Sequence, residues 1–346
     1  MGRALWVLAL VLLAVPASAE VFLPPGFTVQ TYVSGQGSDP RRDFDSPGFP
    51  TLITLALDHS GALYLARSAL RFRESQGEEL TSLYRFPVGG ARITPENEPR
   101  YFYGPPLRNP RVAGVSAQGD VFVSTYDRDR KIGALYRLKD GRASLFAGGT
   151  PPPGSPPLLR QPEGAAFDAE GHVYVVDGEQ GIVVRLDQSG TVLDPRYLTG
   201  VGRGRILTFD RKGQLWIGSD GPLEGTFQEG SGQIWKATPD GSLTLVHQGT
   251  LPAGMSVSPG GSLFVAQRRA GKIFVLTPDG TRIEFADLSE NSFLRTLTFA
   301  PATAETHRAG IAGDLFLVTS PRSNFAAIEV IRVSGPFDEF IQRQSR

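Results

Sequence analysis

The chain has 346 residues, with 41 Gly and 27 Pro, so about one residue in five favours a turn. That density excludes a mainly helical protein and suits many short strands. Lys and Arg (35) balance Asp and Glu (35), which removes any general attraction to nucleic acid or an anionic membrane. There is no Cys, so the 40% hydrophobic content must supply the core without disulfides.

Residues 1–19 predict a secretory signal peptide. Gly2 and Arg3 begin a short basic start, Leu5 to Val15 is an apolar run of 11 residues, and Ala17-Ser18-Ala19 has the small-x-small form of a cleavage site. Eleven residues are short for a bilayer span, and no later apolar run reaches membrane length. The mature chain is expected to start at Glu20 in the periplasm or cell exterior, as one domain over 20–346 with a net charge near −1.

Next comes a strand-like run, FTVQTYV, from Phe27 to Val33. It precedes a repeat. DHSGALYL (Asp58), SAQGDVFV (Ser116), DAEGHVYV (Asp168), DRKGQLWI (Asp210), SPGGSLFV (Ser258) and AGDLFL (Ala312) share a turn glycine followed three residues later by an aromatic. The glycines are Gly61, Gly119, Gly171, Gly213, Gly261 and Gly313, spaced by 58, 52, 42, 48 and 52. The aromatics are Tyr64, Phe122, Tyr174, Trp216, Phe264 and Phe316, and they read as packing between neighbouring repeats. A third apolar run follows each (SLYRF, ALYRL, IVVRL, QIWKA, KIFVL, EVIRV), and several continue into a fourth, as in TPDGSLTLV.

Four short strands at a period near fifty predict a blade, and six of them predict an all-β, six-bladed propeller with four-stranded antiparallel blades. A ring must close or leave unpaired strand edges. Phe27–Val33 is expected to close blade six as its outer strand; DEFIQ at Asp338 is the alternative.

The unit QPEGAAFDAEGHVYVVD, from Gln161 to Asp177, resembles the repeat of NHL and SMP-30/gluconolactonase-like propellers. LPPGFTVQTYVSG and AGDLFLVTSPRSNFAAIEVIRV also resemble soluble quinoprotein sugar and sorbosone dehydrogenases. The first resemblance implies a divalent cation held at the channel by carboxylates and an Asn. The second implies PQQ, calcium and a histidine base. Either would make the chain an enzyme, a lactonase-like hydrolase or a sugar dehydrogenase.

The start of each innermost strand faces the channel mouth. Counted from the turn glycines, with blade six aligned by LTF, that position holds Ile53, Arg111, Glu163, Arg205, Ala253 and Arg295. Three arginines and one carboxylate suit an anion. Glu163 is flanked in blade order by Arg111 and Arg205, so an internal ion-pair triad is expected, leaving Arg295 free. Arginines oppose a hard cation, so no metal site is expected. His59, His172, His247 and His307 all fall outside the mouth positions, and no Gly-x-Ser-x-Gly elbow or phosphate loop occurs.

The loops after the second strands share the mouth face. Asp177, Glu179, Asp220, Glu224 and Glu229 make blades three and four acidic. Arg67, Arg71, Arg73, Arg128, Arg130, Arg268, Arg269 and Arg322 make the others basic, so a face divided by charge is expected. The extended connector Gly148–Pro157 leads into the same face. These features predict a monomer that binds a small polar or anionic ligand, or a protein partner, through Arg111, Glu163, Arg205 and Arg295. The enzyme is the alternative, and no cofactor is expected outside it.

Overall fold

A computed structural model describes residues 22–35, 52–67, 80–94, 96–224, 228, 230–268, 270–288, 292–321 and 329–344. The signal segment 1–19 with the Glu20 start, the side chains of Ile53 and Arg67, and Arg71, Arg73, Glu229, Arg269 and Arg322 lie outside what is described.

Six antiparallel sheets follow one another around a central channel. The innermost strands are Leu52–Leu57, Arg111–Val115, Pro162–Phe167, Gly204–Phe209, Pro252–Val257 and Ser292–Phe299. Each hairpin from first to second strand turns on the predicted glycine, and all six glycines have φ between 71° and 94°. A side chain there would be strained, which is why the repeat retains glycine.

The six aromatics are nearly sealed from water, none more than 5% exposed. They bridge blades as predicted: Phe122 meets Phe167, Tyr174 meets Phe209 and Phe264 meets Phe299, with ring centroids 4.9–5.1 Å apart. Three of them have a second role. The Tyr64 and Tyr174 hydroxyls donate to Asp58 and Asp168 at 3.0 Å, and the Trp216 indole N–H donates to Asp210 at 3.1 Å. A cation from the third strand covers each ring: Arg85, Arg185 and Lys236. Where the aromatic is Phe122 or Phe264 and has nothing to donate, the turn opens with Ser116 or Ser258 instead of Asp. The Asp at the head of the repeat therefore satisfies a polar atom that would otherwise be buried alone.

Thr28–Gly35 pairs antiparallel with Glu329–Ser334, from Thr28↔Ser334 to Ser34↔Glu329, and closes blade six. A short strand, Ala91–Ile93, adds in parallel outside it, so this blade has five strands. The alternative closing segment is a helix, Phe337–Gln344, with Phe337, Phe340 and Ile341 buried against blades five and six. Its placement follows from apolar residues three and four apart, a helical spacing. Phe27 packs on Phe285, Phe337 and Phe340, and Phe22 forms a bridge to Asp287, so the N-terminal segment fastens blade five as well.

Candidate functional site

The innermost strands surround a cavity of about 370 Å³. They approach one another closely at the mouth because glycines stand there. A Cβ on Gly164 would sit 2.8 Å from the Arg205 carbonyl oxygen, and one on Gly254 would sit 2.4 Å from the Leu297 nitrogen. Just before these glycines the pairing with the second strand slips, between Pro162 and Ala165 and between Pro252 and Gly254. The same slip occurs at Arg205 and at Arg295. Such a bulge re-aims a side chain out of the sheet.

Glu163 is 5% exposed and carries the contacts expected of it. Its Oε2 is ion-paired with the Nη1 of Arg111 and lies 3.9 Å from the Nε of Arg205. Its Oε1 accepts from Gln161 Nε2 at 2.6 Å. Gln161 is set by Asp177, which is fully buried and accepts from the backbone N–H groups of Arg160, Gln161, Glu179 and Gln180. Asp177 thus knits the loops of blade three together and is not a surface charge.

Arg205 also reaches Asp220, Nη1 to Oδ2 at 3.2 Å, and Arg268 grips both oxygens of Asp220 at 3.2 and 2.8 Å. Arg268 further donates to the Pro252 carbonyl. The mouth therefore carries a chain of alternating sign, Arg111, Glu163, Arg205, Asp220, Arg268, with one positive charge in excess. Asp220 lies between two arginines, Arg205 of its own blade and Arg268 of blade five, because unpaired charges withdrawn from water are costly. Asp220 and Arg268 stand seven residues after their turn glycines, as Tyr126 does in blade two. Aligning that second column would have drawn them into the site from sequence; nothing in the repeat marks Gln161.

Burial and the neighbouring Arg205 charge bring the Arg111 guanidinium down to about 10, so it stays charged at neutral pH. Burial raises the Asp220 carboxyl against the pull of Arg205, Arg111 and Arg203. Arg295 differs from the others. Arg111, Glu163 and Arg205 line the cavity, whereas Arg295 does not: it occupies the bulge just before Thr296, Leu297 and Thr298, which form the cavity wall of blade six. Its Nε is out of water with no hydrogen-bond partner, and it has no carboxylate partner among the described residues. Burial alone lowers its guanidinium.

A divalent cation does not fit beside Glu163 and Asp220, because guanidinium groups occupy both carboxylates. The histidines stand elsewhere: His59 and His172 in first-to-second strand turns, His247 on the outer strand Leu243–Gln248, and His307 in the helix Ala304–Arg308. Asp168, Glu170 and His172 cluster on the far face, but Asp168 already binds His172 at 2.8 Å with Arg185 alongside. Among the described residues no helix is long and apolar enough to cross a membrane.

No protein-family model matches the chain, and no curated protein does. Solved structures share its fold. A gluconolactonase from Xanthomonas campestris aligns with a TM-score of 0.58 at 15% identity, over 92% of this chain and 96% of that one. A protein from Thermus thermophilus described as an oxidoreductase (glucose dehydrogenase) gives 0.55 at 15% identity, over 89% and 100%. Virginiamycin B lyase from Staphylococcus aureus gives 0.52 at 13% identity, over 89% and 99%. At these identities the likeness is one of fold: the chain is a six-bladed β-propeller resembling gluconolactonase-like, lyase and dehydrogenase propellers.

Proposed function

We propose that the protein binds a small anion at the mouth of the propeller channel, through guanidinium groups of the mouth. The observation that carries this reading is Arg295, a partly buried guanidinium with no acceptor among the described residues. A buried charge without a partner is costly, and an anionic ligand would remove that cost. The excess charge on the Arg111–Arg268 chain acts in the same direction, and the 370 Å³ cavity beside it suits a small molecule. Calorimetric titration with gluconate, galacturonate, phosphate and acetate tests it. Binding should weaken as salt rises, since part of the attraction is screened. Arg295→Ala should lose about 10- to 100-fold in affinity, the worth of one charged hydrogen bond. Unchanged affinity in Arg295→Ala would contradict the reading.

The second reading is an enzyme, a hydrolase or dehydrogenase, and it is favoured by the fold shared with the gluconolactonase and the glucose dehydrogenase-type protein. It would require Glu163 to be the working group. Loss of all turnover in Glu163→Gln, with Arg111, Arg205 and Arg295 freely replaceable, would select it. Export is proposed under either reading: the product carrying its own leader should be found outside the cytoplasm, starting at Glu20. Intact-mass measurement that finds Met1 retained on that product would refute this.

A further inference from the structure

We propose that the anion is a hydroxy acid that reaches into the channel: its carboxylate meets Arg111 and Arg205, and a hydroxyl on its third or fourth carbon meets an arc of threonine and serine side chains on blades four to six. This rests on the anion-binding reading above and names the class of that anion. The channel is uneven at one level. Six innermost-strand residues stand opposite the repeat aromatics: Ala56↔Tyr64, Gly114↔Phe122, Ala166↔Tyr174, Thr208↔Trp216, Ser256↔Phe264 and Thr298↔Phe316. All six line the cavity. Blades four, five and six therefore bring a hydroxyl to this level, and blades one, two and three bring none.

The arc is open to a ligand. Thr208 and Thr298 line the cavity and make no hydrogen bond among the described residues. A hydroxyl withdrawn from bulk water gains from a partner there. Ser256 Oγ accepts from the Phe299 N–H at 3.1 Å, which fixes the oxygen and leaves its proton to donate. Thr54, nearer the mouth on blade one, is set the same way by the Val112 N–H at 2.8 Å. Both side chains are thus positioned by the adjoining blade.

Charge distinguishes the two ends of the ligand. Arg111, Glu163 and Arg205 are the charged residues of the described cavity wall, and they stand at its mouth. The chain that runs on to Asp220 and Arg268 has one positive charge in excess, which suits one carboxylate. Below it the wall is uncharged, so a second anionic group would lose water with no cation to offset the loss. A hydroxyl group is neutral, and it can both donate to and accept from Thr208, Ser256 and Thr298. Ala56, Gly114 and Ala166 offer no polar side-chain atom and suit the C–H edge of the same carbon chain. Spacing sets the position of the hydroxyl. Arg205 and Thr208 are three residues apart on one strand, about 10 Å at about 3.3 Å per residue. Hydrogen bonds of about 3 Å at each end leave roughly 4 Å between carboxylate and hydroxyl oxygens. A hydroxyl beside the carboxylate is too close to span that gap.

The test is calorimetry on the full-length protein with butyrate and its 2-, 3- and 4-hydroxy derivatives, which share one charge and one chain length. The tighter of the 3- and 4-hydroxy isomers should bind about tenfold more tightly than butyrate or 2-hydroxybutyrate, the worth of one or two hydrogen bonds. In the double variant Thr208→Val, Thr298→Val that advantage over butyrate should shrink to about twofold. Taking the ratio within one variant cancels any general loss of affinity. If the double variant does not fold, Thr208→Val alone, which gives up no hydrogen bond among the described residues, should still reduce the ratio about threefold. Equal affinity for butyrate and its hydroxy isomers overturns the proposal and leaves the anion reading standing. So does an advantage that the threonine variants keep intact, or one that is greatest for 2-hydroxybutyrate. Binding of phosphate with none of the four acids also overturns the proposal alone. Absence of binding by every anion tested, phosphate included, overturns both.

Discussion

Arg205 and Asp220 lie 3.2 Å apart across the first two strands of blade four, and their contact joins two rings of the mouth. One ring comes from the starts of innermost strands, the other from the ends of second strands. Through this contact the Glu163 triad continues to Arg268, so a change at one member should be felt along the chain.

Glu163→Gln removes the one carboxylate shared by Arg111 and Arg205. Breaking a buried pair should cost up to about 3–5 kcal/mol, read as a lower melting temperature. The freed guanidinium groups should bind anions more tightly than in the wild type. Added phosphate should therefore raise the melting temperature of the variant by more than that of the parent, because ligand bound only to the folded state stabilises it. An equal or smaller rise would contradict the arrangement.

Arg295→Ala should not destabilise the protein, in contrast to Arg205→Ala. Arg295 gives up no hydrogen bond or ion pair among the described residues, whereas Arg205 leaves two carboxylates short of a partner. Thermal melts of the two variants side by side check this. A drop for Arg295→Ala as large as that for Arg205→Ala would mean that Arg295 has a structural partner.

Tyr174→Phe should cost about 1–2 kcal/mol, although it keeps the ring between Tyr197 and Phe209. The loss comes from Asp168, which loses one donor and retains the charge. Asp168→Ser in the same chain should recover part of it, recreating the Ser–Phe pairing of blades two and five. Urea melts of the single and double variants measure the recovery.

Deleting residues 27–33 should leave Glu329–Ser334 with an open edge and strip Phe27 from its aromatic cluster. Aggregation or unfolding is expected, read by size-exclusion chromatography and melting. A monomer with an unchanged melting temperature would show that the ring closes without this strand.

His247 should make the fold sensitive to acid. Burial, aided by the Arg282 charge, lowers its pKa below the ordinary 6.5 against the pull of Glu284. As pH falls below that value the unfolded chain takes up the proton first. The stability contribution is thus complete above about pH 6.5 and is lost as pH falls through the folded value. His247→Gln should show a smaller fall in melting temperature between about pH 7.5 and pH 5 than the wild type.

By itself the sequence determined the propeller, its six blades and the strand that closes it. These follow from local rules repeated in the chain: a glycine wherever φ must be positive, an aromatic three residues later, and alternating apolar runs. The fourth strand of blade one and the added strand Ala91–Ile93 were not legible, since neither follows the repeat and the second depends on an edge that forms only after closure. At the mouth, the position of Glu163 in the repeat was enough to place it between Arg111 and Arg205. Tertiary structure alone decided that Asp220 joins Arg205 to Arg268, that Asp177 is sealed inside a loop, and that Arg295 remains unpartnered among the described residues. Those outcomes depend on which charges lose water together when the blades meet, and that juxtaposition is set across blades about fifty residues apart rather than within any one of them.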